Sequence, residues 1–298
     1  MTRTAAASAE VDRELVARLE EKAAHIRKQV VRGAHLIPST VHLGGPLSAT
    51  DVVVALYYEF LGFDADRLDD PDRNRFILSK GHNGILLYNV LADLGLYDFN
   101  EVFDGYNKPH HPFGMHPNRH YVRGVEASTG SLGHGLSLGL GISIANRSDG
   151  RRSRVFVMTG DGEMEEGSNW EAIMYAGSHH VGNLVNILDF NHGTVAFDYG
   201  ENMVVDWRRA YEAFGWQVIE IDGNDMSQVV QALASLPPVV PGDRESAPIA
   251  IISHTQKGYG VDFMSESPSR WHLGSIDDQL LAQAIASIEA NYEAKRVK

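Results

Sequence analysis

The chain has no cysteine among its 298 residues. That excludes disulfide frameworks, thiolate metal sites and cysteine nucleophiles, and it fits a reducing compartment. No apolar run reaches the ~18 residues a membrane-spanning helix needs, and Met1 to Glu10 holds no apolar core of signal-peptide length. Basic residues are in deficit: 26 Lys and Arg stand against 39 Asp and Glu, a formal charge of −13. A surface of that sign repels nucleic acid and anionic lipid, although it leaves room for local basic pockets. Repeats, low-complexity linkers and a second composition regime are also absent. The hydrophobic share of 43% suffices for a full core. The expectation is a cytoplasmic α/β protein, one domain over residues 1–298, with neither nucleic acid nor membrane as partner.

What is present is a pair of strand ends. Arg154-Val-Phe-Val-Met-Thr reads as a buried strand running into Gly160, Asp161 and Gly162, with a helix expected from Asn169 to His180. The next apolar run, Leu184 to Phe190, ends on Asn191. In a βαβ unit two parallel strands lie together with their carboxyl ends level, and ligands of open α/β sheets bind there. Asp161 and Asn191 are therefore expected in one crevice. A carboxylate and an amide oxygen suit a hard cation such as Mg²⁺, which keeps coordination sites free for phosphate. Glycines on both sides of Asp161 let a diphosphate approach the backbone. The tripeptide alone is equally an ordinary strand-to-helix turn, and Asn191 an ordinary cap; the paired ending is what points to a ligand.

Around this unit, strands alternate with helices, which indicates a doubly wound, mostly parallel sheet flanked by helices. Helices are expected at 10–36, Asp51–Leu61, Gly84–Asp93, Gly133–Asn146, Trp207–Phe214, Ser227–Leu236 and 277–295. Further strands are expected at Arg75–Ser79, Gln217–Ile221 and Pro248–Ser253. Pro38 to Pro46 reads as a loop. So does Phe103 to Arg123, rich in His, Pro and Gly and too long to be mere connection. The helix from Gly133 carries small residues at Gly135, Ser137, Gly139, Gly141, Ser143 and Ala145, which let another backbone come close. His111, His116 and His120 suggest a zinc cluster only superficially, because Pro112 and Pro117 break the helix that would align them.

Read in order, the loops resemble one family. Thr40-Val-His-Leu-Gly-Gly-Pro-Leu-Ser-Ala-Thr-Asp, Arg75-Phe-Ile-Leu-Ser-Lys-Gly-His, Met115-His-Pro and Gly124-Val-Glu-Ala-Ser-Thr-Gly-Ser-Leu-Gly-His-Gly are all similar to transketolase. So are Gly160-Asp-Gly-Glu-Met-Glu-Glu-Gly, Asp189-Phe-Asn191, Lys257-Gly-Tyr-Gly and Trp271-His272. The resemblance covers the N-terminal, diphosphate-binding half of that family, with its thiamine diphosphate-binding fold. It implies the N-terminal subunit of a split, two-chain enzyme that transfers a two-carbon ketol unit from a ketose, as the phosphate, to an aldose. The implied cofactors are thiamine diphosphate and Mg²⁺, or another divalent cation such as Ca²⁺ or Mn²⁺. The implied partner is a C-terminal-type, pyrimidine-binding subunit in an α2β2 assembly, acting on sugar or sugar-phosphate substrates.

Carried over residue by residue, the resemblance makes Asp161, Asn191 and the backbone at Gly193 the metal ligands. Gly130, Leu132, Gly160, Asp161, Gly162, Glu163, Asn191 and Glu166 become cofactor-binding, with Glu166 at the interface between halves. His42, His82, His116 and His272 become the active-site histidines. Imidazoles suit ketol transfer, which must protonate alkoxides and deprotonate a donor hydroxyl. Two departures from the family pattern stand out. Val41 and Leu43 flank His42 and are expected to reshape the donor end of the pocket, and Trp271-His-Leu-Gly lacks the usual following turn. The alternatives are a component that decarboxylates a 2-oxo acid and a non-catalytic regulatory subunit. The helix from Gly133 to Asn146 and Glu166 are the candidate partner-facing elements.

Overall fold

A computed structural model of the protein describes residues 12–194 and 204–296. Helix α1 (Arg13–Leu36) leads to the two-residue strand β1 (Val41–His42) and to α2 (Gly44–Ala55), which widens into a π-helical turn over Leu56–Phe60. Strand β2 (Arg75–Leu78), α3 (Gly84–Asp93) and the short α4 (Phe99–Gly105) follow. Then come α5 (Gly135–Ser148), β3 (Val155–Gly160), α6 (Gly167–Ser178), β4 (Leu184–Phe190), α7 (Trp207–Ala213), β5 (Gln217–Asp222), α8 (Met226–Ala234) and β6 (Ile249–His254). Beyond them lie the one-turn α9 (Asp262–Ser265), the two-residue β7 (Leu273–Gly274) and α10 (Asp278–Arg296).

Five strands form one parallel sheet in the order β2-β3-β4-β6-β5. Register is set so that Gly160 stands opposite Asp189 and Phe190 opposite His254. Side chains alternate between faces. Phe156, Met158, Val185 and Ile187 pack with α1, α2, α3 and α8, whereas Val155, Val157, Leu184 and Leu188 pack with α5, α6 and α7. Burial of both faces is why these strands read as continuous apolar runs. The sheet is the helix-flanked α/β arrangement expected from the alternation of elements.

Four local differences have physical causes. Asp12 caps α1, accepting hydrogen bonds from the Glu14 and Leu15 amides; Glu10, where the first helix was expected to start, lies outside the described residues. Helix α2 begins at Gly44 rather than Asp51, because a proline in the first turn, here Pro46, loses no intrahelical hydrogen bond. The stretch expected to be loop from Phe103 starts inside α4, whose Asp98 cap accepts from the Asn100 amide. Finally, β1 and β7 pair antiparallel, Val41 with Gly274 and His42 with Leu273. Two residues per strand carry no readable periodicity, so nothing in the pattern announces this pair.

The small residues of α5 serve the sheet. A Cβ on Gly139 would overlap Val157 Cγ2, and one on Gly135 would overlap the Ser79 side chain. These glycines let α5 lie directly on β3 and the end of β2. The helix's solvent side carries Ser137, Leu138, Gly141 and Ala145.

Candidate active site

Strands β3 and β4 end side by side, and their ends form the floor of a cavity of ≈ 270 Å³. Asp161, only 3% exposed, accepts hydrogen bonds from the Gly162 amide (3.0 Å) and the Gly193 amide (3.2 Å). Asn191 Oδ1 accepts from the same Gly193 amide at 3.2 Å. The two side-chain oxygens therefore converge on one backbone N–H. The orientation of the Asn191 amide is set from below: its Nδ2 donates to Ser48 Oγ (3.1 Å) and to Asp189 Oδ2 (3.2 Å). Asp189 is buried and also accepts from Lys80 Nζ (2.5 Å), Ser48 Oγ (2.8 Å) and Thr255 Oγ1 (2.5 Å). Sequence reasoning did not single out this brace.

Burial pushes the Asp161 carboxyl up to about 6, against the Lys80 ammonium and the two amides, which pull it down. Its negative charge is thus under-compensated by the fold, and a cation placed there would favour the ionised form. A carboxylate, an amide oxygen and an adjacent backbone suit a hard divalent cation. The ammonium groups of Lys80 and Lys257 border the same cavity. Lys257 is 3% exposed and donates to the Thr194 carbonyl at 2.7 Å. A Cβ on Gly193 would lie 2.8 Å from Lys257 Cδ, so only glycine lets that lysine reach across the floor. Oxygen donors for a metal, cations for an anion and glycines along the floor fit a metal-held diphosphate.

Three histidines converge above this floor. The His42 ring lies 5.1 Å from both the His82 and the His272 ring, and those two are 5.6 Å apart. The β1–β7 pair makes the cluster: it carries His42 on one strand and places Leu273 opposite, so that His272 comes next to it. The Leu43 amide donates to the His272 carbonyl at 3.2 Å and closes the ladder. Burial, aided by neighbouring Lys257, lowers His42 to about 4 and His272 to about 3. Burial, with Lys80 beside it, also puts His82 well below its ordinary value. All three imidazoles are neutral near pH 7. Nδ1 of His42 and Nδ1 of His272 are buried without a hydrogen-bond partner among the described residues. Neutral rings with an uncommitted nitrogen can accept or donate a hydrogen bond to a hydroxyl.

His82, His272, Leu132, Gly160, Asp161, Gly162, Glu163, Asn191 and Gly193 all line the cavity. His42 packs against both rings and is not among the lining residues. His116 sits on the exposed loop beyond, its ring against Gly130, where φ is +136° and a Cβ would lie 2.7 Å from His116 Cγ. The Glu163 carboxylate is 3% exposed and bound by Ser79 Oγ (2.5 Å) and the amides of Gly133 (3.0 Å) and Gly160 (3.2 Å). It ties the loop before α5 to the end of β3. Glu166 is exposed at the start of α6, away from the cavity lining. Val41 and Leu43 are both 0% exposed and belong to the apolar core. They do not line this cavity; they pack in the core on either side of His42. The lining residues missed were Gly45, Lys80, Glu165, Thr194 and Lys257. Two of them are cations in motifs already quoted, and cations flanking an anion cradle were signal enough. Among the described residues no group of three or more His, Asp and Glu is arranged to hold a metal by itself, and no helix is long and apolar enough to cross a membrane.

Comparison with known proteins shows what the chain resembles. Residues 37–269 match the model of the transketolase, thiamine diphosphate binding domain. The chain is 36% identical over 255 residues to one of the subunits of the apulose-4-phosphate transketolase of Actinobacillus succinogenes, covering 85% of this chain and 90% of that protein. It is 32% identical to the 6-deoxy-6-sulfo-D-fructose transketolase subunit SqwG of a Clostridium species, covering 83% and 88%. Among solved structures, the Campylobacter jejuni transketolase superimposes with a TM-score of 0.77 at 23% identity, covering 96% of this chain and 49% of that one. The chain thus spans about half the length of that solved transketolase.

Proposed function

From the premise that this chain belongs to the transketolase thiamine diphosphate-binding family, we propose that it is the diphosphate-binding subunit of a two-chain transketolase. The complex moves a two-carbon ketol unit from a ketose phosphate to an aldose. The observation that carries this reading is the cluster of three neutral histidines over the Asp161–Asn191 floor. Relatives named as transketolase subunits, matched over nearly their whole length, support the division into two chains.

In this reading Asp161, Asn191 and the Gly193 backbone hold Mg²⁺ or a similar divalent cation, and Lys80 and Lys257 offset the charge of a diphosphate. When bound, thiamine diphosphate supplies the nucleophilic carbon and the electron sink that ketol transfer needs. The protein's part is to orient and to move protons. His42 and His272 are neutral imidazoles, able to take a proton from a donor hydroxyl and return it to an oxygen. His82 lines the same wall. His116, on the exposed loop, meets the sugar at the mouth, and Glu166, exposed at the start of α6, faces the partner. That partner is a C-terminal-type chain, and the assembly contains two copies of each.

The test is affinity purification of the tagged chain with whatever chain accompanies it. The purified pair is then assayed with a ketose phosphate and an aldose, and separately with pyruvate. Ketol transfer that needs thiamine diphosphate and Mg²⁺ supports the proposal. Pyruvate consumption would replace it with 2-oxo acid decarboxylation, and an active, monodisperse monomer would remove the partner.

A further inference from the structure

The loop that carries Lys257 is held by a cluster outside the cavity. It leaves β6 and is tied at two points: the Gln256 amide donates to Asn224 Oδ1 (2.9 Å) and the Gly258 amide to the Gly44 carbonyl (2.9 Å). Between these ties the Lys257 stem passes two glycines, and a Cβ on Gly44 or on Gly193 would lie 2.8 Å from it. Two residues on, Tyr259 is half-buried. The Arg27 guanidinium of α1 lies over its ring, 4.9 Å from the centroid, and the Lys295 ammonium of α10 lies over it at 5.3 Å. The ring quadrupole attracts both cations. The cations are themselves fixed. Arg27 pairs with Asp51 of α2 through both Nη atoms and donates to the Leu47 carbonyl at 3.3 Å. Lys295 donates to the Asn224 carbonyl at 2.7 Å. Asn224 closes the circle, its Nδ2 donating to Asp51 Oδ2 (3.0 Å) and to the Ser48 carbonyl (3.2 Å).

None of Arg27, Asp51, Asn224, Tyr259 and Lys295 lines the active-site crevice, whereas Lys257 does. What joins the cluster to the crevice is the loop. Glycines stand on both sides of Tyr259, Gly258 at φ +82° and Gly260 at φ +88°. Glycine loses more conformational freedom on ordering than any other residue, so such a backbone keeps one shape only if a contact within it is firm. The tyrosine ring between the two glycines is that contact, and a Cβ on Gly260 would lie 3.0 Å from Arg27 Cδ, so the backbone itself rests on the arginine stem. We propose that Tyr259 is a positioning residue for cofactor binding: gripped by Arg27 and Lys295, it fixes the loop so that the Lys257 ammonium stands in the cavity. The inference rests on the reading of that cavity as a diphosphate site. It also gives α10 a part in cofactor binding, because Lys295 lies in the last turn of that helix.

The test is titration calorimetry on the full chain, with magnesium pyrophosphate as the probe, in a double-mutant cycle. Tyr259→Leu removes the ring and keeps an apolar side chain, Tyr259→Phe keeps the ring, and Lys257→Met removes the ammonium itself. Two cation–π contacts at a half-buried site correspond to about tenfold in an equilibrium. Tyr259→Leu is therefore expected to weaken pyrophosphate about tenfold, and Tyr259→Phe about twofold or less. In the Lys257→Met background Tyr259→Leu should change affinity by less than about twofold, because the group it positions is gone. A merely structural tyrosine would lower the melting temperature without that dependence on Lys257. Because Tyr259→Leu can disturb the fold, Lys295→Met is the second variant, expected to keep the circular dichroism spectrum and weaken pyrophosphate about threefold. Unchanged affinity in Tyr259→Leu or Lys295→Met, an equal loss with and without Lys257, or a loss in Tyr259→Phe as large as in Tyr259→Leu would each overturn the assignment. If the unmodified chain binds no magnesium pyrophosphate, the diphosphate reading falls and this inference with it; if only the variants misbehave, this inference falls alone.

Discussion

Replacing Asp189 by Asn tests the brace beneath Asp161 and Asn191. The carboxylate is 1% exposed and accepts from Lys80, Ser48, Thr255 and Asn191. An amide in its place removes the charge opposite Lys80, itself 2% exposed, and turns a donor toward a ring of donors. Breaking one side of a buried pair costs about 3–5 kcal/mol, because the other charge stays buried and alone. For a domain of this size that is a fall of ~6–10 °C in melting temperature. Asn191 Nδ2 also keeps only Ser48 Oγ of its two acceptors at full strength, so its Oδ1 is held less firmly toward the Gly193 amide. Affinity for divalent cation and thiamine diphosphate should therefore fall together with stability. Thermal and urea unfolding of Asp189→Asn, Lys80→Met and the double variant would be compared. Since the double variant orphans no charge, it should be more stable than the sum of the single losses by ~1–3 kcal/mol. Additive losses, or a loss below ~1 kcal/mol for Asp189→Asn alone, would refute the brace.

Three further outcomes are expected. Gly139→Ala gains ~1 kcal/mol of helix propensity, but its Cβ would overlap Val157; overpacking at ~1–3 kcal/mol wins, and a stabilised variant in urea unfolding would contradict the close fit of α5 on the sheet. Gly130→Ala strains a residue at φ +136° and pushes its Cβ into the His116 ring. It should lower turnover more than it lowers melting temperature, and unchanged kinetics would separate that loop from catalysis. The third concerns pH. The unfolded chain protonates His42 near 6.5, whereas the native chain resists until about 4. Stability is then full above 6.5 and falls as pH drops from 6.5 to about 4, by on the order of 3 kcal/mol for this one group. His42→Gln should flatten that part of the urea-unfolding profile, and an unaltered profile would argue against a buried neutral ring.

Much of the site was legible because its parts are local. Gly160-Asp161-Gly162 and Asn191 each close a strand, and strand ends in a parallel βαβ unit lie together by topology alone. The expected strand Leu184–Phe190 coincides with β4. Where the reading failed, the determining contact was distant. Gly44-Gly45-Pro46 looks like a loop until α2 is seen packed at the floor. Val41 and Leu43 flank His42 in the sequence, and only the fold shows both side chains in the core.

Residue order was enough for the alternation of strands and helices, the absence of thiol chemistry, and the meeting of Asp161 with Asn191. Periodicity and strand endings are properties of short segments, which the chain carries with it into any fold. The clustering of His42, His82 and His272 and the Asp189 brace emerged only once the chain was folded. Each depends on groups brought together from distant parts of the chain. Such encounters are fixed by strand order and by burial of both sheet faces, and no local pattern encodes them.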